Sequence, residues 1–132
     1  MFAVEVRDHI MIAHSLPREV FGPAQKMHGA AFVVAAAFFT EDVDENGLGV
    51  DIGLATQVLS NTLKPLNYQN LDEMDVFAGK VTTTEVLAKH IFDALKAGVA
   101  GGDLGPGGSR IKRIRVSLHE SHVARAWYEA DL

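Results

Sequence analysis

Cysteine is absent from the 132 residues of this chain. Without a thiol, the protein cannot form disulfides, bind a metal through thiolate ligands or use a cysteine nucleophile. Positive charge is also scarce, because 12 lysines and arginines stand against 17 aspartates and glutamates, for a net charge of -5. We therefore expect no nucleic-acid partner and no binding to anionic membranes, since both need an excess of positive charge.

Long apolar runs are missing as well. The longest, Ala30–Phe39, is only half the length of a spanning helix, which needs ~20 residues. Near the N-terminus, Glu5, Arg7 and Asp8 occupy positions that are apolar in a secretory signal, so we expect a cytoplasmic protein. Hydrophobic residues make up 48% of the chain. This share and the length predict a single domain over residues 1–132.

Two strands are predicted at the start of the chain. Apolar and polar residues alternate from Phe2, which is typical of a half-buried strand, and we expect this strand to continue to about His14. The second strand, about Met27–Thr40, is apolar at both parities. This pattern predicts that both of its faces are buried, most simply by helices on one side and another subunit on the other.

Two helices are predicted in the middle of the chain. Asp51 is a good N-cap for the first, in which apolar residues recur at three and four residue spacing. Thr82 and Glu85 have the spacing of a capping box, which predicts a second helix that runs to about Ala97. Six of the 12 glycines then lie between Gly98 and Gly108, and this predicts a flexible surface loop over residues 98–109.

The last quarter alternates again and predicts a third and a fourth strand that meet near Glu120, Ser121 and His122. The element order is then ββααββ, an α+β fold with a four-stranded antiparallel sheet and both helices on one face. A group of cations in this quarter fits a solvated strand face better than a nucleic-acid patch, because no aromatic residues are interleaved with it: Arg110, Lys112, Arg113 and Arg115.

Six short motifs occur in series on these elements: Met11-Ile12-Ala13-His14, His28-Gly29, Val50-Asp51-Ile52-Gly53, Leu66-Asn67-Tyr68-Gln69-Asn70-Leu71, Thr83-Thr84-Glu85 and Leu118-His119-Glu120-Ser121. Together they resemble the 6-pyruvoyl-tetrahydropterin synthase and 6-carboxytetrahydropterin synthase family, over about residues 2–130. The resemblance implies a T-fold, in which three subunits close their sheets into one barrel and two trimers stack into a homohexamer. A barrel wall of this kind would explain a strand that is apolar on both faces.

The resemblance also implies a zinc site, made in the family by a histidine at the end of the first strand and a His-x-His pair on the second. His14 matches the first position and His28 the second, but Ala30 stands at the third. A methyl group has no lone pair, whereas a catalytic zinc normally has three protein ligands. We therefore expect no metal and no other cofactor, with His14 and His28 as residual ligand positions. His122, near the last strand turn, is an alternative third ligand.

The family's catalytic cysteine and Asp-His pair are missing too, since Ala24 and Gln25 stand near the cysteine position and Asn67 and Tyr68 replace the pair. An asparagine carries no charge to orient an imidazole, and a phenol of pKa ~10 is a poor base at neutral pH. The family reaction is therefore expected to be absent. Tyr68 remains a candidate proton donor or, alternatively, a ring that fills the lost histidine's volume.

The residue that anchors the pterin ring in the family is a glutamate near the C-terminus, and Glu120 occupies its position. The turn Thr83, Thr84 and Glu85, whose family counterpart contributes to the ring pocket, is also present. The sequence thus predicts a protein that binds a pterin-like small molecule through Glu120, Thr83, Thr84, Glu85 and Asn67. The alternative is a metal-independent enzyme acting on a pterin or purine-like ring, with Tyr68, His28 and His119 as proton-handling groups.

Overall fold

A computed structural model describes all residues from 1 to 132. Two long strands open the chain, β1 at Phe2–His14 and β2 at His28–Thr40. The helix α1 follows at Ile52–Leu63, and the helix α2 at Thr84–Ala100. The chain ends with the strands β4 at Ile111–Ser121 and β5 at Ala124–Asp131. The predicted order of long elements is therefore confirmed.

The sheet has five strands, not four as predicted, because a short additional strand, β3, forms at Gln69–Asn70. The strand order is β3-β1-β2-β4-β5. The long strands are antiparallel, whereas the additional strand β3, Gln69–Asn70, pairs in parallel with β1 at Ile12 and Ala13. Two residues are too few to show an alternation of polar and apolar side chains, so no sequence pattern indicated β3.

Register places the two ends of the sheet in different chemical surroundings. At one end, Phe2 lies opposite Thr40 and Arg113 lies opposite Asp131. At the other end, His14 lies opposite His28, and the hairpin between β4 and β5 turns next to Ser121. Every histidine of the strands lies toward this second end, which we call the histidine end of the sheet.

One face of the sheet packs against α1 and α2 and forms the hydrophobic core. Phe38 from β2, Leu59 from α1, and Leu87 and Ile91 from α2 are fully buried in it. Burial of such side chains contributes about 1.5–3 kcal/mol each before the cost of ordering the chain. The prediction that both helices lie on one face is confirmed by this core.

The other face of the sheet carries no helix, and we call it the open face. The expectation that β2 is buried on both sides is only partly met within one chain. Ala35 and Ala37 on the open face are buried, but Ala31 and Val33, toward the histidine end, are exposed. Their register partners explain the difference, because Ala37 lies between Glu5 and Arg115, whose long side chains lie over it.

Two helix predictions need correction at their ends. The N-cap of α2 is Thr83, whose hydroxyl accepts a hydrogen bond from the Val86 amide at 3.3 Å, and not Thr82. In the segment predicted as a loop over residues 98–109, α2 continues to Ala100 and a short 3-10 helix forms at Pro106–Arg110. By contrast, Asp51 caps α1 as predicted and accepts from the Leu54 amide at 3.0 Å.

None of the helices combines the length and the apolar composition that are needed to span a lipid bilayer.

Candidate functional site

His14 and His28 form a pair of imidazoles where β1 ends and β2 begins. Antiparallel register places the two residues directly opposite each other, and their ring centroids are 4.6 Å apart in an edge-to-face arrangement. Residues in register on one face of a sheet lie close enough for their side chains to touch. The sequence motifs place both histidines at strand ends, and the strand register brings the two rings together.

Each imidazole of this pair is held through its Nδ1 atom. His14 Nδ1 lies 3.0 Å from Thr82 Oγ1, and both side chains are buried. His28 Nδ1 lies 2.8 Å from the carbonyl oxygen of Lys26, so this nitrogen carries the proton and donates. Both rings thus keep their Nε2 atoms for another partner, and Thr82 positions His14 instead of capping a helix.

The electrostatic surroundings of His14 favour its neutral imidazole. Burial lowers the pKa of His14 below the ordinary value of histidine, and the neighbouring His28 lowers it further. Thr82, Asp72 and Glu120 raise the same pKa, but by less. At neutral pH, His14 is therefore uncharged and can act as a hydrogen-bond partner or a ligand atom.

Asp72, which no sequence motif indicated, fixes the chain immediately after His14 through hydrogen bonds to Ser15. Its carboxylate accepts hydrogen bonds from the Ser15 amide at 3.0 Å and from the Ser15 hydroxyl at 2.5 Å. Ser15, Asp72 and Thr82 line one cavity of about 600 Å³, together with the cations Arg18 and Lys80. Asp72 is 57 residues from Ser15, and no local pattern could have indicated a bond over that separation.

The donor atoms around this pair do not fit the three-histidine zinc site that the resemblance implied. The third position is Ala30, which lies on the same strand face as His28 and opposite Ile12, and neither residue can ligate a metal. No group of three or more histidine, aspartate or glutamate side chains in the chain could hold a metal ion. His122 lies in the turn between β4 and β5 and does not complete the set.

Asn67 and Tyr68 form a turn that is attached to β1 by two hydrogen bonds. The Met11 amide donates to Asn67 Oδ1 at 3.0 Å, and the Tyr68 amide donates to the Met11 carbonyl at 2.6 Å. Tyr68 is the single non-glycine residue with a positive φ, at 60°, and it is 77% exposed. Its ring therefore does not fill the volume of a lost histidine, and it makes no aromatic contact with His14 or His28.

Glu120 lies at the point where β4 separates from β2. The last pair between these strands joins Val33 to His119, and the register shifts between His119 and Ser121. Glu120 is exposed, and it is near enough to raise the pKa of His14. It lines a cavity of about 440 Å³ at the histidine end, together with the imidazole-bearing residues His9, His119 and His122.

The Thr83, Thr84 and Glu85 turn lies on the helix side of the sheet. Thr83 caps α2, Thr84 is the first helical residue, and Glu85 is exposed in the first turn. Glu85 lines a cavity of about 530 Å³ on the outer surface of α2, which does not include Glu120. Within one chain, the structure therefore does not unite this turn with Glu120 in a single cavity.

The basic residues of the last quarter are engaged in ion pairs and turn contacts. Arg113 bonds Asp131 at 2.7 Å and Glu129 at 3.2 Å, and Arg115 lies 3.8 Å from Glu5. Arg110 donates to the carbonyls of Leu48 and Gly49 at 3.0 and 3.1 Å. Three of the four cations of this group, Arg110, Arg113 and Arg115, are therefore held within the chain's own structure.

Comparison with known proteins agrees with this geometry. The chain is 26% identical over 92 residues to 6-carboxy-5,6,7,8-tetrahydropterin synthase of Bacillus subtilis, a match that covers 67% of this chain and 62% of that protein. The chain thus spans less than two thirds of this curated relative's length.

Among solved structures, 6-pyruvoyl tetrahydropterin synthase from Caenorhabditis elegans superposes with a TM-score of 0.81 at 23% identity, over 98% of this chain and 95% of that chain. The Plasmodium vivax protein of the same name superposes with a TM-score of 0.74 at 12% identity, over the whole of both chains. These neighbours confirm the T-fold. The 6-pyruvoyl tetrahydropterin synthase family model matches residues 3–131, so the chain belongs to that family.

Proposed function

We propose that this protein binds a pterin-like ring through Glu120 and does not catalyse the zinc-dependent reaction of its family. The observation that carries the proposal is that the carboxylate at the ring-anchor position is present, whereas the set of metal ligands beside it is incomplete. Glu120 stands exposed at the mouth of a cavity near His14. Beside it, the metal-ligand set is reduced to two imidazoles.

The chemistry of Glu120 suits a ring that presents two N–H groups on one edge. Glu120 takes part in none of the side-chain hydrogen bonds or ion pairs of the chain, which leaves both carboxylate oxygens available. A planar pair of N–H donors, such as the 2-amino-4-oxo edge of a pterin, meets a carboxylate in a bidentate, charge-assisted arrangement. The proposal also includes contacts to the ring from Thr83, Thr84, Glu85 and Asn67. These contacts come from a neighbouring subunit, or from the same chain if the turn packs closer to Glu120.

The acid–base groups do not support the family reaction. Asn67 already accepts a hydrogen bond from Met11 and carries no charge, and Tyr68 projects into solvent. His28 and His119 are the remaining candidates for proton transfer, because neither Nε2 atom has a hydrogen-bond partner. We expect background turnover of dihydroneopterin triphosphate, since removal of catalytic groups costs several orders of magnitude.

The decisive experiment titrates neopterin into wild type, Glu120→Gln and Glu120→Ala, with quenching of ligand fluorescence as the readout. Loss of one partner of a charge-assisted pair costs about 2–3 kcal/mol, so both variants should bind about 30-fold or more weakly. Glu45→Gln, in an exposed loop, is the matched control and should bind like wild type. Equal affinity in all four proteins would refute the role of Glu120, and no binding by wild type would exclude pterins as ligands.

A homohexamer is part of the proposal. The sheet ends in unpaired strand edges, since β3 covers β1 only at Ile12 and Ala13 and nothing pairs with the outer edge of β5. Long unpaired edges favour pairing with another chain. Light scattering should give about six times the 14.3 kDa of one chain, whereas a monomer at micromolar concentration would contradict the assembly.

A further inference from the structure

The negative charge of the chain is concentrated in one segment, residues 41–51, which we call the acidic loop. It contains no lysine or arginine and five carboxylates: Glu41, Asp42, Asp44, Glu45 and Asp51. Of the 17 acidic residues, the 12 outside this loop equal the 12 lysines and arginines in number, so the loop accounts for the whole net charge of -5. Asp44 is its only carboxylate within ion-pair distance of a cation, which is Arg110 at 3.9 Å.

Large apolar side chains are exposed on and next to the acidic loop. Val43 and Leu48 lie within it, and Ile52 and Leu54 follow in the first turn of α1. Ile52 is the most exposed of the four, at 62%. Exposed apolar side chains that are grouped together and bordered by polar residues are typical of protein–protein interaction sites.

The start of β1 lies beside this loop. Phe2 is exposed and pairs with Thr40, the residue that precedes the loop. The Thr40 hydroxyl is also next to the far part of the loop, because a Cβ atom at Gly49 would lie only 2.9 Å from it. Phe2, the acidic loop and the first turn of α1 therefore form one surface at the end of the sheet remote from the histidines, and we call it the acidic–apolar surface.

The shape of the acidic loop is fixed by hydrogen bonds within the chain. The Asp44 carboxylate accepts from the Asn46 amide at 2.8 Å and from the Leu48 amide at 2.9 Å. Arg110 donates to the carbonyls of Leu48 and Gly49. A surface that is already ordered loses little conformational entropy when a partner binds to it.

A recess adjoins the acidic–apolar surface at Leu54. This cavity of about 340 Å³ lies on the outer side of α1, and its lining includes Leu54, the side-chain amides of Gln57 and Asn61, and the carboxylate of Asp103. A lysine or arginine side chain has the matching shape and chemistry, because its apolar stem can lie along Leu54 while its charged head meets Asp103.

We propose that the acidic–apolar surface binds a basic, amphipathic helix of another protein. The apolar face of such a helix covers Leu48, Ile52 and Leu54, and its flanking lysines and arginines lie against the carboxylates of the acidic loop. One of these cations enters the recess at Asp103. A second copy of this chain is a poor occupant, since it would bring five further carboxylates to the same contact.

The experiment uses two fluorescein-labelled peptides of leucine and lysine, each about 15–18 residues long. In the first peptide the leucines recur at three and four residue spacing, so that one face of the helix is apolar. The second peptide has the same composition in scrambled order, so it keeps the charge and loses the apolar face. Fluorescence anisotropy of each peptide during titration with the protein gives the dissociation constants.

We expect wild type to bind the amphipathic peptide saturably and about tenfold or more tightly than the scrambled one. The triple variant Glu41→Gln, Asp42→Asn, Glu45→Gln should bind the amphipathic peptide about tenfold or more weakly, because the complementary charges are lost. Ile52→Ser should weaken binding about fivefold or more through loss of apolar contact.

Two matched controls separate this surface from the general charge and hydrophobicity of the chain. The triple variant Glu19→Gln, Glu73→Gln, Asp75→Asn removes three exposed carboxylates elsewhere and should bind like wild type. Val20→Ser removes an apolar side chain that is also exposed, and it too should bind like wild type.

Four results would overturn the proposal: no saturable binding by wild type, equal affinity for the scrambled peptide, an equal loss of affinity in the control triple variant, or full affinity in Ile52→Ser. Light scattering of Ile52→Ser tests the second copy as occupant. A smaller assembly than that of wild type would assign the surface to contacts between copies of this chain and would also overturn the proposal. None of these results bears on Glu120, which lies at the opposite end of the sheet.

Discussion

Substitution of Ala30 by histidine should create a zinc site, and this prediction tests how the imidazole pair is built. His28 and residue 30 lie two apart on β2 and share a strand face, so a new imidazole would point to the same side as His14 and His28. With three histidines and water, the donor set would match that of a four-coordinate zinc. Because Thr82 and Lys26 already hold the Nδ1 atoms of the native pair, both Nε2 atoms are available without rearrangement.

The expected gain follows from the hydrogen bonds that orient the two native rings. Loss of such an outer partner costs about 10–100-fold in metal affinity. A third direct ligand contributes more than an outer partner, so Ala30→His should bind zinc at least ~100-fold more tightly than wild type. Adding Thr82→Val to Ala30→His removes the hydroxyl that lies 3.0 Å from His14 Nδ1. The zinc affinity of the double variant should therefore be about 10–100-fold weaker than that of Ala30→His alone.

Without added zinc, Ala30→His should lower the free energy of unfolding, although it raises the affinity for the metal. Ala30 packs against the core cluster, and a larger side chain at such a position costs about 1–3 kcal/mol. Zinc at 100 times its dissociation constant contributes about 2.7 kcal/mol, which offsets most of this cost. The melting temperature should therefore fall by roughly 4–12 °C without metal and recover with zinc.

Calorimetric zinc titrations and thermal melts measure both effects. Ala13→His is the matched control, because it also adds a histidine beside His14, but on the opposite face of β1. A folded Ala30→His protein with the zinc affinity of wild type would show that the two native rings do not point to a common position.

Four further outcomes are expected. Stability should decrease as the pH falls below about 6.5, because burial lowers the pKa of His14 and His90 in the folded protein while the unfolded chain takes up the protons. Denaturant titrations of His14→Gln and His90→Gln should each show a weaker decrease, and an unchanged pH dependence in both would contradict the assignment. Thr82→Val in the native background should cost about 1–3 kcal/mol, since it leaves a buried Nδ1 without its partner. Thr83→Ala should cost about 1 kcal/mol through loss of the α2 cap; if Thr82→Val were neutral and Thr83→Ala severe, the roles of the two threonines would be reversed. Phe38→Ala should cost about 3–5 kcal/mol because the ring is fully buried, whereas Phe2→Ala, at a 53% exposed ring, should cost under about 1 kcal/mol.

The long elements could be predicted because their patterns span many residues. Strand β1 is Phe2–His14 as expected: the alternation from Phe2 to Val6 indicated the strand, and its expected end at about His14 is confirmed. The sequence predicts the α2 cap one residue too early. Thr82 has the capping-box spacing to Glu85, but Thr83 is a residue of the same type and caps the helix instead. Only the fold shows that His14 engages the first of them.

The candidate site was predictable where short motifs marked it and not where distant residues complete it. Short motifs at the strand ends indicated His14 and His28, and the antiparallel register places the two residues opposite each other. Asp72 acts through hydrogen bonds to Ser15, and the cavity at Glu120 is lined by Arg7 of β1 and His119 of β4. Such contacts depend on strand order and on where β4 departs from β2, which no single segment encodes.

Both chain ends lie at the end of the sheet that is remote from the histidines. Phe2 pairs with Thr40, and the Leu132 amide donates to the Lys112 carbonyl beside the start of β4. Thirteen residues of β1 separate this end from His14, a distance of about 40 Å at the rise of an extended strand. An affinity tag, a fluorescent reporter or an immobilising linker can therefore be joined to either end of the chain while the cavity that Glu120 lines stays accessible to titrated ligands.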